Sequence, residues 1–383
     1  MCFFKGHNAV LAVSLIPFSV CCGGTKSMVQ TPARKVIHID GSFGEGGGQI
    51  LRTSLALSCV LGKPVEIVNI RRDRMKPGLQ PQHLTAVIAA AAISRAHVEG
   101  AELSSTAIKF LPGPLSGGDY VFDVSEKKGS AGSTSLVLQT ILLPLCFAER
   151  PSSITVLGGT HVPWSPTFHY LKYVFLPILS RIKAHIDLDI KKWGWYPAGG
   201  GAVTARIRPH AEFRPLKITN RGALLRVTGL SVAANLSQDI ALRQRDRALH
   251  ALRRKGIEAN IEIVEAPSQG KGTLVFLQAE FENITSGFDA LGAIGKRAEE
   301  VAEEACHKLF RHLDAAGAVD PHLADQLIPY LALARGDSEF TTSRVTQHLL
   351  TNIWVVQQFL DVSFHLEGKE EEGGHITIRT LSA

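Results

Sequence analysis

Val36-Ile37-His38-Ile39-Asp40-Gly41-Ser42-Phe43-Gly44-Glu45-Gly46-Gly47-Gly48-Gln49-Ile50-Leu51-Arg52 decides the fold class. Val36 to Asp40 reads as a short strand, the glycine-rich run as a flexible loop, and Ile50 to Leu61 as an apolar helix. The strand–loop–helix order then recurs. Pro64 to Ile70 reads as a strand, and Pro81 to Arg95 as an Ala-rich helix with Leu84, Val87, Ile88 and Ala91 on one apolar face. Tyr120 to Val124 is a strand, Ser133 to Ala148 a helix, Ser153 to Leu157 a strand and Pro166 to Ile182 a long helix. His185 to Ile190 and Ala202 to Ile207 form a hairpin around Pro197-Ala198-Gly199-Gly200-Gly201. Such alternation predicts an α/β or α+β layered fold of repeated β/α units, with helices on one sheet face. Pattern alone leaves parallel and antiparallel pairing open.

The texture changes in the middle of the chain. Strands Ala223 to Val227 and Leu274 to Glu280 flank a basic helix from Gln238 to Lys255, and a charged helix follows from Lys296 to Leu313. The tail returns to two helices and strands Ser363 to Leu366 and His375 to Thr380. We therefore expect residues 34–213 and 319–383 to form one domain of β/α units, interrupted by a smaller α/β insert at 214–318. Residues 1–33 read as a disordered extension: Lys5 and the apolar run from Ala9 to Val20 imitate a secretory leader, but Pro17 interrupts the run and no A-x-A site follows.

The 383 residues are 45% apolar, enough for a sizeable core, and the formal charge of +6 points only mildly to an anionic partner. No later apolar run is both long enough and free enough of charge to span a bilayer. Three cysteines fall within the first 22 residues, the others are scattered, and no C-x-x-C pair exists. That distribution fits reduced thiols and an intracellular setting, cytoplasmic or, in a eukaryotic cell, nuclear.

Several segments carry candidate chemistry. In Gly44-Glu45-Gly46-Gly47-Gly48-Gln49, glycines admit close backbone approach to a ligand, with Glu45 placed as a metal ligand or water-holding base and Arg52 on the first helical turn; a tight turn is the plain alternative. It is not a Walker loop, since no G-K-[ST] ends it. Arg71-Arg72-Asp73-Arg74-Met75-Lys76 sets four cations in six positions at the end of a strand, before Gln82 and His83. Guanidinium forks match phosphate oxygens, although a solvated basic loop has the same composition. Arg243, Arg245, Arg247, Arg253, Arg254 and Lys255 could track a nucleic-acid backbone or be plain surface. His161 and His169 do not have the i, i+4 spacing of a metal pair, and the elbow of serine hydrolases and the signature of zinc deaminases are missing.

His348 is the sharpest candidate. From Gln347 to Leu360, Leu349, Leu350, Ile353, Trp354, Val356 and Leu360 recur at mostly helical steps, with Thr346 as N-cap. His348 thus sits in the first turn, where unpaired N–H groups and the positive end of the helix dipole disfavour an imidazolium and attract phosphate. A neutral ring keeps a lone pair for attack or ligation.

Taken together, His38-Ile39-Asp40-Gly41 with Gly44 to Arg52, Arg71 to Leu79 with Gln82-His83, Tyr196 to Gly201, His322-Leu323-Ala324-Asp325-Gln326 and His348-Leu349-Leu350-Thr351-Asn352 resemble the RNA 3′-terminal phosphate cyclase family. The resemblance spans residues 36 to 380 in order. It implies a fold of repeated β/α units like that of enolpyruvyl transferases, with a smaller α/β insert. It also implies ATP-dependent conversion of an RNA 3′-phosphate to a 2′,3′-cyclic phosphate through adenylyl-His348, with Mg²⁺ or Mn²⁺ near Glu45. Arg52, Arg71, Arg74, Gln82 and His83 would hold phosphates or the RNA end. Gln139, His322, Asp325 and Gln326 would lie near the nucleotide, and Phe288 would stack on adenine. The expected partners are ATP and RNA 3′-phosphate ends. His322 stands where the family often carries Tyr, and His169 where an acid is expected. The alternative within the resemblance is a catalytically silent relative acting in ribosome biogenesis, against which the presence of His348 argues. Enolpyruvyl transfer rests on fold analogy alone.

Overall fold

A computed structural model describes residues 35–126, 131–210 and 212–380. The expected extension at residues 1–33, with its leader-like run, lies outside the described residues. The described residues pack as one compact unit.

Four four-stranded sheets organise that unit. The first contains β1 (Ile37–Asp40), β2 (Val65–Val68), β3 (His97–Glu99) and β4 (Ile108–Leu111), in the order β1-β2-β4-β3. The second contains β5 (Asp119–Asp123), β6 (Ser152–Gly158), β7 (His185–Lys192) and β8 (Gly201–Arg208), in the order β5-β6-β8-β7. Strands β9 (Lys217–Ile218), β14 (Ser338–Thr342), β16 (Gly374–Thr380) and β15 (Val362–Glu367) pair in that same sequence. In each of these three sheets the first two strands are parallel, and the remaining pairings are antiparallel. A parallel pair needs a helical crossover, while the closing antiparallel pair needs only a hairpin. The repeated order therefore reads as one unit used three times.

Helices fill the space between the sheets. α1 (Gly48–Leu61), α2 (Pro81–Ser94) and α3 (Thr134–Leu145) are buried over most of their surface, as their near-continuous apolar runs require. α8 (Pro321–Leu331) and α9 (Gln347–Phe359) complete the layer, and α1 touches α2, α3 and α9 directly. The outer faces stay wet: β7 alternates exposed and buried residues from His185 to Leu188.

Between β9 and α8 runs the fourth sheet, β10 (Leu224–Ala234), β11 (Ala259–Glu265), β12 (Gly272–Phe281) and β13 (Thr285–Leu291), in the order β11-β10-β12-β13. Its helices, α6 (Gln238–Arg254) and α7 (Ala298–Asp314), pack on each other. α6 buries only Ala241, Gln244, Ala248 and Leu252, a single stripe at three- and four-residue steps. β9 lies inside the expected 214–318 insert, yet it pairs with β14 and so belongs to the third repeat.

Several sequence expectations need correction. Pro166 to Ile182 is not one regular helix but α4 (Phe168–Tyr170), a π-helical turn over Leu171–Phe175, and α5 (Leu176–Arg181). Pro177 has no N–H to return to Tyr173, so the α ladder is interrupted there. Ile88 is 43% exposed, because α2 turns Leu84, Val87, Ala90 and Ile93 inward instead. Short strands β3, β4 and β14 escaped the pattern altogether. Three of the six cations on the basic helix are spent on acids: Arg243 pairs with Asp239 and Glu299, Arg245 with Asp246, and Arg247 with Glu303. Cys59, Cys146 and Cys306 are buried and free, and burial pushes each thiol up to about 12. Among the described residues no helix is long and apolar enough to cross a membrane.

Candidate active site

Thr346 caps α9, its Oγ1 accepting from Leu349 N at 3.1 Å, which places His348 in the first turn as expected. Across from it lies the start of α1. Gln49 Nε2 donates to the His348 carbonyl at 3.1 Å, which turns Gln49 Oε1 toward His348 Nδ1, 2.6 Å away. An amide oxygen only accepts, so Nδ1 carries the ring proton and the lone pair is on Nε2. Glu45 Oε2 stands 3.3 Å from the same Nδ1 and favours the same tautomer. Burial lowers the His348 pKa, Glu45 opposes this, and Arg52 and Arg74 reinforce it, so the ring is neutral at pH 7.

Three helices hold this geometry. Thr53 of α1 donates to Asn352 Oδ1 at 2.7 Å, and Asn352 Nδ2 donates to the Asp325 carbonyl of α8 at 2.7 Å. Arg52 thereby faces both Asp325 and the histidine. Burial brings its guanidinium down to about 10, with Asp325 opposing and Arg71 adding, so it remains a cation at neutral pH. Burial holds the Asp325 carboxyl well above the usual range, with Arg52 opposing.

The glycine loop meets the basic loop beside His348. Arg74 Nη2 donates to the Glu45 carbonyl at 3.0 Å and approaches its carboxylate at 3.5 Å. His83, third residue of α2, accepts from Gln80 N through Nδ1 at 3.1 Å, so its Nε2 carries the proton and lies against Gly48. A Cβ at Gly48 would run into that nitrogen, which is why only glycine serves there. Burial pushes His83 down to about 3, aided by Arg71 and Arg52: it is a neutral N–H donor. Arg71 Nε is buried without a hydrogen-bond partner, a donor awaiting an acceptor.

A cavity of about 580 Å³ opens next to these groups. Of the expected site residues, Arg52, Gln139, His322, Asp325, Gln326 and His348 line it. Gln139 Nε2 donates to Gln326 Oε1 at 2.9 Å, and Gln326 Nε2 donates to the His322 carbonyl at 2.7 Å. His322 sits edge-on to Tyr170, and burial brings its ring down to about 4 with help from Lys308, Arg344 and His348. Glu45 and Arg74 border the histidine from the loop side, Arg71 and His83 lie by Arg52, and none of the four lines the cavity. Gln82 does something else: its Oε1 accepts from Ser133 N at 3.0 Å and ties α2 to the start of α3.

Phe288 is not brought to the cavity. Successive strand residues face opposite ways, and Asp289 lines the cavity while Phe288 is buried against His312 of α7, ring centres 5.4 Å apart. Phe288 therefore offers no face to an adenine in this cavity. Residues that sequence reading passed over include Gln49 and Asn352, both within the quoted motifs, and Tyr170 and Asp289, which no pattern marks. Thr167 Oγ1 donates to Asp289 Oδ2 at 2.6 Å across 122 positions of chain. His161 and His169, too far apart in sequence for a helical metal pair, are in fact hydrogen-bonded at 2.9 Å, and among the described residues no three His, Cys, Asp or Glu cluster as a metal site.

The repeated α/β architecture thus sets a neutral histidine at a helix start, beside the guanidinium groups of Arg52 and Arg74. The family model described as RNA 3′-terminal phosphate cyclase matches residues 43–366, and the chain belongs to that family. Similar curated proteins bear the same name. One from Pyrobaculum neutrophilum is 46% identical over 335 residues, covering 86% of this chain and 95% of the relative. One from Methylococcus capsulatus is 47% identical over 330 residues, covering 85% and 91%. One from Archaeoglobus fulgidus is 45% identical over 337 residues, covering 88% and 99%.

Proposed function

We propose that this chain converts RNA 3′-terminal phosphates to 2′,3′-cyclic phosphates at the expense of ATP. His348 Nε2 attacks the α-phosphorus, pyrophosphate leaves, and a phosphoramidate to AMP forms. The RNA 3′-phosphate then displaces the histidine and takes the AMP. The vicinal 2′-hydroxyl attacks that activated phosphorus, its proton is lost, and AMP departs as the cyclic diester closes. The reaction is of the ligase type.

One observation carries the reading: Gln49 holds the proton on Nδ1, so the neutral ring presents Nε2 as a nucleophile. The charge that builds on phosphoryl oxygens would be met by Arg52, Arg71 and Arg74 and by the His83 N–H. Gln139, His322, Asp325 and Gln326 would border the adenosine, and Gln82 supports the site from the α2–α3 contact. Glu45 suits Mg²⁺ or Mn²⁺ as the single protein carboxylate of an ion otherwise held by phosphates and water. When bound, the ion would neutralise phosphate charge. We further propose that the chain acts in the cytoplasm or nucleus, and that the 214–318 region, less β9, is an insert in a catalytic domain formed by 34–213 and 319–383.

Incubation with α-labelled ATP and Mg²⁺ or Mn²⁺ should give an acid-labile protein adduct that His348→Ala lacks. Labelling that survives this substitution would overturn the assignment.

A further inference from the structure

The glycine loop runs back along α9 in step with it. Glu45 meets His348, Gly44 lies against Thr351 and Gln347, and Phe43 stacks on Trp354 with ring centres 4.0 Å apart and planes 13° from parallel. From His348 to Trp354 the helix rises about 9 Å. That is comparable to the span from the phosphate to the base of one nucleotide.

With one ring face on Trp354, Phe43 is still 40% exposed. Neither ring lines the cavity that would take the adenosine. Glu45, two residues along the loop from Phe43, meets the nucleophile and is held by Arg74, and Arg72 and Lys76 of the same basic loop are exposed. A flat apolar surface beside cations and one nucleotide's reach from the reacting atom fits a nucleobase whose phosphate lies on the arginines.

We propose that Phe43, backed by Trp354, stacks the base of the RNA's 3′-terminal nucleotide and so positions its 3′-phosphate at His348. The proposal rests on the cyclase reading and adds a positioning residue to it. Every base has a π-face, so the shelf gives grip with little base preference.

Phe43→Leu keeps an apolar contact with Trp354 and removes the stacking face, whereas Phe43→Trp retains it. For cyclisation of a 3′-phosphorylated oligonucleotide, Phe43→Leu should raise the RNA KM about tenfold with a much smaller change in kcat, and Phe43→Trp should restore it. The difference between wild type and Phe43→Leu should vanish when the terminal nucleotide is abasic. An unchanged RNA KM in Phe43→Leu, or a penalty that persists on the abasic RNA, overturns the shelf. Equilibrium binding of the same oligonucleotides to both proteins, followed by tryptophan fluorescence, tests the shelf without turnover. Absence of an adenylyl-His348 adduct in the wild type would defeat the cyclase reading while leaving that binding comparison able to decide on Phe43.

Discussion

Gln49 shows what a single amide decides. Without it the His348 ring would distribute its proton between two nitrogens and rotate more freely, and part of the population would present the wrong atom. Gln49→Leu should therefore slow single-turnover formation of the adenylyl adduct roughly tenfold to hundredfold, as loss of an orienting partner does for other histidines. A wild-type rate in that variant would remove the tautomer argument. His348 was legible in the sequence because a helix start has a local signature. Gln49 was legible only as a member of a motif, since its partner is 299 positions away. Asp289 and Tyr170 could not be read at all, because nothing local distinguishes an acid facing a cavity from one facing water.

Among the elements, α1 and α9 carry the site, and their first turns can be tested directly. Alanine is a better helix former than glycine by about 1 kcal/mol, so propensity alone predicts that Gly48→Ala stabilises the protein. The His83 ring in the way predicts the reverse, since overpacking a filled site costs about 1–3 kcal/mol. We expect a lower thermal midpoint and weaker adenylylation, because Gln49 and Arg52 move with the turn. A rise in midpoint would show that His83 yields freely. Thr346→Ala should cost about 1 kcal/mol in urea unfolding through loss of the α9 cap, and no loss would mean the cap is idle. Helices such as α9 were readable almost to the residue, because their periodicity runs for several turns. Strands β3 and β4, which no helix directly follows as one follows β1 and β2, were not: at most two inward side chains are too few to make a pattern. Their existence is settled by the neighbouring strands that they pair with.

For the molecule as a whole, buried neutral histidines link stability to pH. Burial sets His312 at about 3, further lowered by Arg221, and His169 at about 4, further lowered by Lys172, whereas an unfolded histidine titrates near 6.5. Below about pH 6.5 the unfolded chain takes up protons that the folded chain refuses, so their contribution is full above that pH and falls as the solution is acidified toward 4 and 3. At pH 5 each would cost roughly 2 kcal/mol. Asp320, raised to about 6 by burial, acts in the opposite direction between pH 6 and 4. Replacing His312, which lies outside the cavity lining, isolates one contribution. His312→Gln should shrink the difference in unfolding free energy between pH 7 and pH 5 by roughly 2 kcal/mol. An unchanged difference would mean that His312 titrates normally.

Periodicity and turn chemistry are local properties of the chain, so the sequence by itself determined that strands and helices alternate, where helices such as α2, α6 and α9 start and stop, and which histidine begins α9. The threefold reuse of one sheet order, the membership of β9 in the third sheet and the meeting of Gln49, Glu45 and Arg52 with His348 were decided only by tertiary structure. The β9–β14 pairing joins residues 122 positions apart and the Gln49–His348 bond groups 299 apart, and only packing of the repeats against one another brings such groups within hydrogen-bond reach.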